Sequence, residues 1–218
     1  MAGRKPLTTT SYAILAHLAV QPWSAFELAK QMTRGLDLIW PRAESAMYVE
    51  PKNLVAHGLA EAVRLQVGKA RQRTVYSITA QGRSALAAWL AQPPAPAAFE
   101  SEALVRVFFA EHGSKEALLH TLQAFAHQGT AERDRMTLQA ESYLRVGGPF
   151  PERWHLIALG VRFLLAYGEL CERWGTWAAA EVSAWPATDA TAAGRGPELL
   201  AGALAEFSKA PMGGHDTP

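Results

Sequence analysis

Three prolines, Pro93, Pro94 and Pro96, fall between Ala91 and Ala98. Proline lacks a backbone N–H and fixes φ, so neither a helix nor a central strand runs through such a cluster. The stretch reads as a stiff, extended linker, and a chain interrupted in this way is expected to fold in two pieces. The linker is placed at residues 91–100. Charge divides at the same point. Up to Leu90 there are eleven Lys/Arg against five Asp/Glu, and from Ala91 onward ten against fifteen, so a front part of net +6 precedes a back part of net −5. A basic front part suits a polyanionic partner, and an acidic back part suits a different task.

The front part reads as helix, helix, helix, hairpin, helix. Ile14, Leu15 and Leu18 give a helical stripe that Gln21-Pro22 ends. Ser24 with Glu27 three residues on has the spacing of a capping box and starts a second helix, with Phe26, Leu28, Ala29 and Met32 expected in the core. Trp40 is expected to anchor the start of a third helix over 43–57, which Gly58 closes in a left-handed turn. Pro51 sits inside that segment. Either the helix kinks there or two helices abut; the spacing of Met47, Leu54 and Gly58 favours one kinked helix. Two β-like runs, 60–67 and 73–78, flank the basic tip Gly68-Lys69-Ala70-Arg71-Gln72, and Thr79 is placed to cap a fourth helix ending near Leu90.

This order predicts a mostly α fold with a small β-hairpin wing: a winged helix-turn-helix over 1–90, followed by a helical domain. In that arrangement the third helix enters the major groove and the wing lies over the phosphate backbone or an adjacent minor groove. Candidate contacts to double-stranded DNA are Arg42, Ser45, Tyr48 and Lys52 on the third helix, and Lys69, Arg71 and Arg73 on the wing. Arg and Lys neutralise phosphates and release counterions, while Ser and Tyr donate to base edges or phosphates. A basic hairpin alone is weak evidence and fits a solvated surface better. The three preceding helices tip the balance towards DNA. The competing reading is a winged-helix module that pairs with proteins.

The opening Leu7-Thr8-Thr9-Thr10-Ser11-Tyr12-Ala13-Ile14-Leu15 and the start Ser24-Ala25-Phe26-Glu27-Leu28 resemble the DNA-binding domain of PadR-like transcriptional regulators. So do Ile39-Trp40-Pro41 through Met47-Tyr48, Leu54 to Leu59, and Arg73-Thr74-Val75-Tyr76-Ser77-Ile78-Thr79-Ala80-Gln81-Gly82. The resemblance is specific before the linker and looser behind it, up to about Trp185. It implies a homodimeric regulator, usually a repressor, on a palindromic operator, released by a small molecule, here a small aromatic effector. It carries a DNA-contact role to Tyr48.

Behind the linker, helical patterns cover 102–110, 115–144 and 151–184, with Gly113 and Gly147-Gly148-Pro149 between them. Trp154, Ile157, Val161, Leu164, Gly168 and Cys171 alternate at spacings of three and four, a seam suited to another helix and assigned to dimerisation. Trp154, Trp174, Trp177 and Trp185 are expected to fill a dimer core rather than an aromatic ligand pocket. The dimerisation domain is placed at 101–185 and a flexible tail at 186–218, with a short helix over 199–207. Cys171 permits no internal disulfide, is read as a small buried residue, and fits a reducing cytoplasm. The seven histidines show no metal-ligand spacing, so neither metal nor cofactor is implied. The apolar run Tyr12 to Val20 is short and broken by His17, so no membrane span is expected. No glycine-rich phosphate loop, nucleophile elbow or His-Glu-x-x-His pattern points to an enzyme.

Overall fold

The computed structural model describes residues 4–35, 39–40, 44–67 and 71–208. The chain forms two compact units, Met1–Ala97 and Ala98–Pro218.

The front unit is a mostly helical winged fold. Its helices are α1 (Thr9–Val20), α2 (Ala25–Gly35), α3 (Glu44–Ala56) and α4 (Ala80–Leu90). Three antiparallel strands, β1 (Trp23–Ser24), β2 (Ala60–Val67) and β3 (Arg71–Ile78), lie in the order β1-β3-β2. The hairpin pairs Ala60 with Ile78 and Val67 with Arg71. The short β1 was not anticipated. Two residues carry no periodicity, and Trp23 and Ser24 are held because they pair with Tyr76 and Val75 of β3.

Local chemistry sets the element boundaries. Thr8 and Ser11 form a reciprocal capping box on α1. Ser24 and Glu27 do the same on α2, where the Ser24 amide donates to the Glu27 carboxylate at 2.9 Å and the Glu27 amide to Ser24 Oγ at 3.4 Å. The Thr79 hydroxyl accepts from the Gly82 amide and caps α4. Each cap contributes about 1 kcal/mol. Gly58 follows α3 at φ +73°, the left-handed position that a side chain would strain. Helix α3 continues through Pro51, which is fully buried; burial of the ring offsets part of the lost backbone bond.

The front core consists of Ile14, Leu15 and Leu18 from α1, Leu28 and Met32 from α2, Met47 and Leu54 from α3, and Val75 and Tyr76 from β3. Polar ties join its helices. Buried Ser11 takes a hydrogen bond from the Thr8 amide and gives one to Glu50 Oε2 on α3 at 2.7 Å. Trp40 Nε1 donates to Thr10 Oγ1 at 3.0 Å, which accounts for its anchoring position before α3. Tyr12 stacks on Trp89 with 5.0 Å between centroids, joining α1 to α4.

The back unit is built on α6 (Lys115–Val146) and α7 (Trp154–Ser183), preceded by α5 (Glu102–Phe108) and followed by α8 (Gly196–Ser208). Helices α6 and α7 run antiparallel, with Leu118, Leu122, Ala178 and Val182 as a buried cluster at one end. Along their length they meet through small residues. A Cβ on Gly129 would stand 2.6 Å from the Gly168 carbonyl oxygen, and a Cβ on Gly175 would stand 2.9 Å from that of Leu122. Arg133 is paired with Glu172 across the same contact. Lys115 Nζ closes the other helix's end, donating to the carbonyl oxygens of Ser183 at 2.8 Å and Trp185 at 2.5 Å. The segment expected to be flexible, with a helix only over 199–207, carries a 3-10 turn at Ala190–Arg195 and then α8. Arg195 pairs with both Glu181 and Glu198 there.

One placement revises the reading of α7. Leu164, Gly168 and Cys171, expected to face a second subunit, are buried within the chain against α6, with Trp154, Ile157 and Val161 half-buried. The seam does meet a helix, but a three-four repeat does not state whose. A neighbouring row, Leu156, Phe163, Leu170 and Trp177, is more than half exposed and spaced by sevens. The tryptophans differ in placement. Trp154 stacks near Tyr143 and Trp174 meets Phe125 edge-on, so both are used inside the subunit, while Trp177 is exposed. By length and composition alone Pro151–Ser183 would also pass for a membrane span, a feature the expectation of no span overlooked.

Candidate nucleic-acid interface

The outward faces of α2, α3 and β3 surround a depression of about 650 Å³. Its lining includes Phe26, Glu27 and Lys30 from α2, Tyr48 and Lys52 from α3, and Arg73 from β3. The three elements present these side chains together because their other faces are committed to the core. On α2, Leu28, Ala29 and Met32 point inward, so Phe26 and Lys30, four residues apart, share the outward side. On α3, Met47, Pro51 and Leu54 point inward, and Tyr48 and Lys52, again four apart, face outward.

The site is anchored at Glu27. Its Oε2 accepts from the Ser24 amide at 2.9 Å and from Ser24 Oγ at 2.8 Å, and pairs with Arg73 at 3.1 Å. The backbone hydrogen bond from Ser24, opposed by burial and reinforced by the Ser24 hydroxyl and by Arg73, holds this carboxyl below its ordinary range. A capping box therefore doubles as a bracket that ties β3 to the first turn of α2. Arg73 is not a freely sampling wing cation. Its charge is answered in part on the surface itself, and the net positive field of the depression comes from Lys30 and Lys52.

Of the residues predicted to touch DNA, the structure brings Tyr48, Lys52 and Arg73 to this one depression. Ser45 is exposed on α3, about one turn before Tyr48 and two before Lys52. Arg42 and Lys69 lie outside the described residues, and Arg71 is placed only as the first residue of β3. Sequence reasoning missed Lys30 and misassigned Phe26. Phe26 was expected in the core, yet it is 67% exposed. The available signal was its offset from Leu28 and Met32 on the helical wheel, which hydrophobicity alone overrode.

The comparisons with known proteins bear on this face. Residues 14–88 match the model of the Transcriptional regulator PadR-like family. Over those residues the front unit is similar to that family. A probable transcriptional regulator of Mycobacterium tuberculosis, Rv1176c, is 28% identical over 85 residues, which span 39% of this chain and 45% of that protein. The chain thus covers less than half the length of this curated relative. Among solved structures, Bacillus subtilis PadR in complex with operator DNA is similar with a TM-score of 0.69 at 20% identity, covering 80% of this chain and 99% of that one. The Vibrio cholerae virulence activator AphA gives 0.62 at 22% identity, with coverages of 80% and 98%. Bacillus subtilis PadR in complex with p-coumaric acid gives 0.62 at 19% identity, with coverages of 83% and 99%. At these identities the structural likeness establishes the fold alone, a winged helix followed in the chain by a helical region. The PadR-like match ends before the linker, so it bears on the depression and not on α5 to α8.

Proposed function

We propose that this chain is a DNA-binding transcriptional regulator, a homodimeric repressor that holds a palindromic operator and is released by a small aromatic effector. One observation carries the DNA-binding part. Lys52 and Tyr48 on α3 share a single concave face with Lys30 and the bracketed Arg73, so one duplex can engage the helix and the base of the wing together. In this reading residues 1–90 hold DNA, 91–100 link, 101–185 dimerise and the segment from 186 follows as a tail. Tyr48 and Ser45 address base edges or phosphates. Arg42, Lys52, Lys69, Arg71 and Arg73 neutralise phosphates. Such a protein works where the chromosome is, in the cytoplasm.

The dimer takes a second copy of this chain along α7. The exposed row Leu156, Phe163, Leu170 and Trp177 recurs every seven residues, the repeat at which apolar knobs from two helices interlock. A two-fold axis lets the row meet itself, and such an isologous contact closes at two subunits. This row replaces the buried side of the seam at Leu164, Gly168 and Cys171 as the dimer surface, with Trp154, Ile157 and Val161 at its margin. The effector rests on likeness: a protein of the same fold has been solved with p-coumaric acid. The sign of regulation likewise follows the family resemblance, although a similar fold also serves a virulence activator.

The test is selection of duplexes from random DNA by the full chain, followed by affinity measurements at several salt concentrations. Replacing Lys69 and Arg71 together with alanine is expected to weaken binding and to reduce the salt slope by about 3.6, near 0.9 for each of the four phosphates that the two subunits no longer neutralise. Unchanged affinity and slope would instead favour a module that binds protein.

A further inference from the structure

Phe26 stands two-thirds exposed on the surface where the DNA backbone and bases are expected, so its ring is available to whatever occupies that surface. Phe26 is not a failed core residue, since α2 fills the core from Leu28 and Met32 on the far side of the helix. Nor is it loosely placed. It precedes Glu27, whose carboxylate is fixed by Ser24 and Arg73, so the first turn of α2 is held from two directions. The ring borders the same depression as Tyr48 and Lys52 of α3, flanked by Lys30 of its own helix.

A benzene ring neither gives nor takes a hydrogen bond, so it cannot read the nitrogen and oxygen edges of bases. Phosphate oxygens would lose hydration against it with nothing in return. The major-groove edge of one base does offer an apolar group, the 5-methyl of thymine. We propose that Phe26 is a specificity-determining residue that packs on a thymine methyl in the major groove, at a position beside the bases met by Tyr48. The proposal rests on the DNA-binding reading above. It adds what the cations cannot supply, since Lys30, Lys52 and Arg73 attract any duplex whatever its sequence. Across two subunits it predicts one such thymine in each half-site.

The experiment uses the full chain and the duplex it selects from random DNA. Each thymine is replaced in turn by deoxyuridine, which removes the methyl and leaves base pairing intact. At one symmetric pair of positions, wild-type affinity is expected to fall about 3- to 10-fold. Phe26→Ala is expected to lose a similar amount on the unmodified duplex and nothing further on the deoxyuridine duplex. Its salt slope is expected to equal that of wild type, because every phosphate keeps its cation. Phe26→Leu is expected to keep part of the methyl effect. Circular dichroism of the variants checks that the exposed position is replaced without loss of fold. If every deoxyuridine costs Phe26→Ala as much as wild type, or if Phe26→Ala binds as tightly as wild type, the methyl contact is overturned while DNA binding stands. A loss that is the same on all sequences would place the ring on the sugar wall and overturn it equally. If no duplex is selected at all, the DNA-binding reading falls and the thymine contact falls with it.

Discussion

The two units of this chain solve helix packing in opposite ways. The front unit joins α1 to α3 with large apolar side chains and a buried polar tie, Ser11 to Glu50, in which one hydroxyl serves two helices. The back unit joins α6 to α7 with an apolar cluster at one end, Leu118, Leu122, Ala178 and Val182, and beyond it by leaving side chains out, bringing Gly129, Gly168 and Gly175 against the neighbouring helix. The first solution fixes an angle between short helices, which a surface that reads another molecule requires. The second fixes a register along two long ones, and it leaves larger apolar residues such as Leu156, Phe163 and Leu170 on the outside. Both units expose large apolar residues, Phe26 and Leu90 among those of the front, but those of α7 fall in a row at heptad spacing.

That contrast can be broken at its strongest point first. Gly168→Leu drives a side chain into the backbone of α6, where even a Cβ would stand 2.8 Å from the Gly129 carbonyl oxygen. The α6–α7 pair is expected to lose about 3 kcal/mol or more, seen in calorimetry as a fall in one transition while the transition of the front unit stays. A uniform fall would mean that the two solutions are not independent. Ser11→Ala strikes the front unit's tie. It leaves the Glu50 carboxylate without its buried hydroxyl donor, at a cost of about 1–3 kcal/mol in chemical denaturation. A loss under about 0.5 kcal/mol would show that packing alone orients α3. Phe163→Asp probes the exposed row on α7. It is expected to leave helicity unchanged and to weaken self-association at least tenfold, about 1.4 kcal/mol, with light scattering reporting the shift to monomer. An unaltered dimer would move the interface off this row.

The smallest expected effect is at Glu27. Its carboxyl is held low chiefly by the Ser24 amide, so the folded state favours the ionised form. A carboxyl lowered on folding adds stability above its unfolded pKa and loses it as pH falls through the folded one. Front-unit stability should therefore decline on acidification below the ordinary carboxylate range, and Glu27→Gln should flatten that part of the profile. Parallel profiles for the two proteins would show that the bracket adds nothing measurable.

Much of the fold was legible because it rests on local rules. The capping box at Ser24 and Glu27, the left-handed Gly58 and the cap at Thr79 are each set by residues within a few positions, and each stands where spacing predicts. Strand β1 was not legible, since two residues have no period and depend on Tyr76 and Val75 far along the chain. The site was legible in part. Tyr48, Lys52 and Arg73 converge, but the partnership of Arg73 with Glu27 joins residues on different elements and leaves no local trace. Phe26 and the α7 seam were both read from apolar character alone, and both sit otherwise than that reading expected. Apolar character says that a side chain avoids water, and not which surface, its own core, its own chain or another molecule, will remove it from water.

The glycines between α6 and α7 have a mechanical consequence. With the Gly129 and Gly168 carbonyls each against the other's backbone, neither helix can slip along the other without driving a Cβ into a main-chain oxygen. Lys115 pins the end of the pair to the carbonyls of Ser183 and Trp185. The hairpin is thus a solid bar rather than a pair of sliding rods. A force applied anywhere along it arrives at the other end as a tilt of the whole.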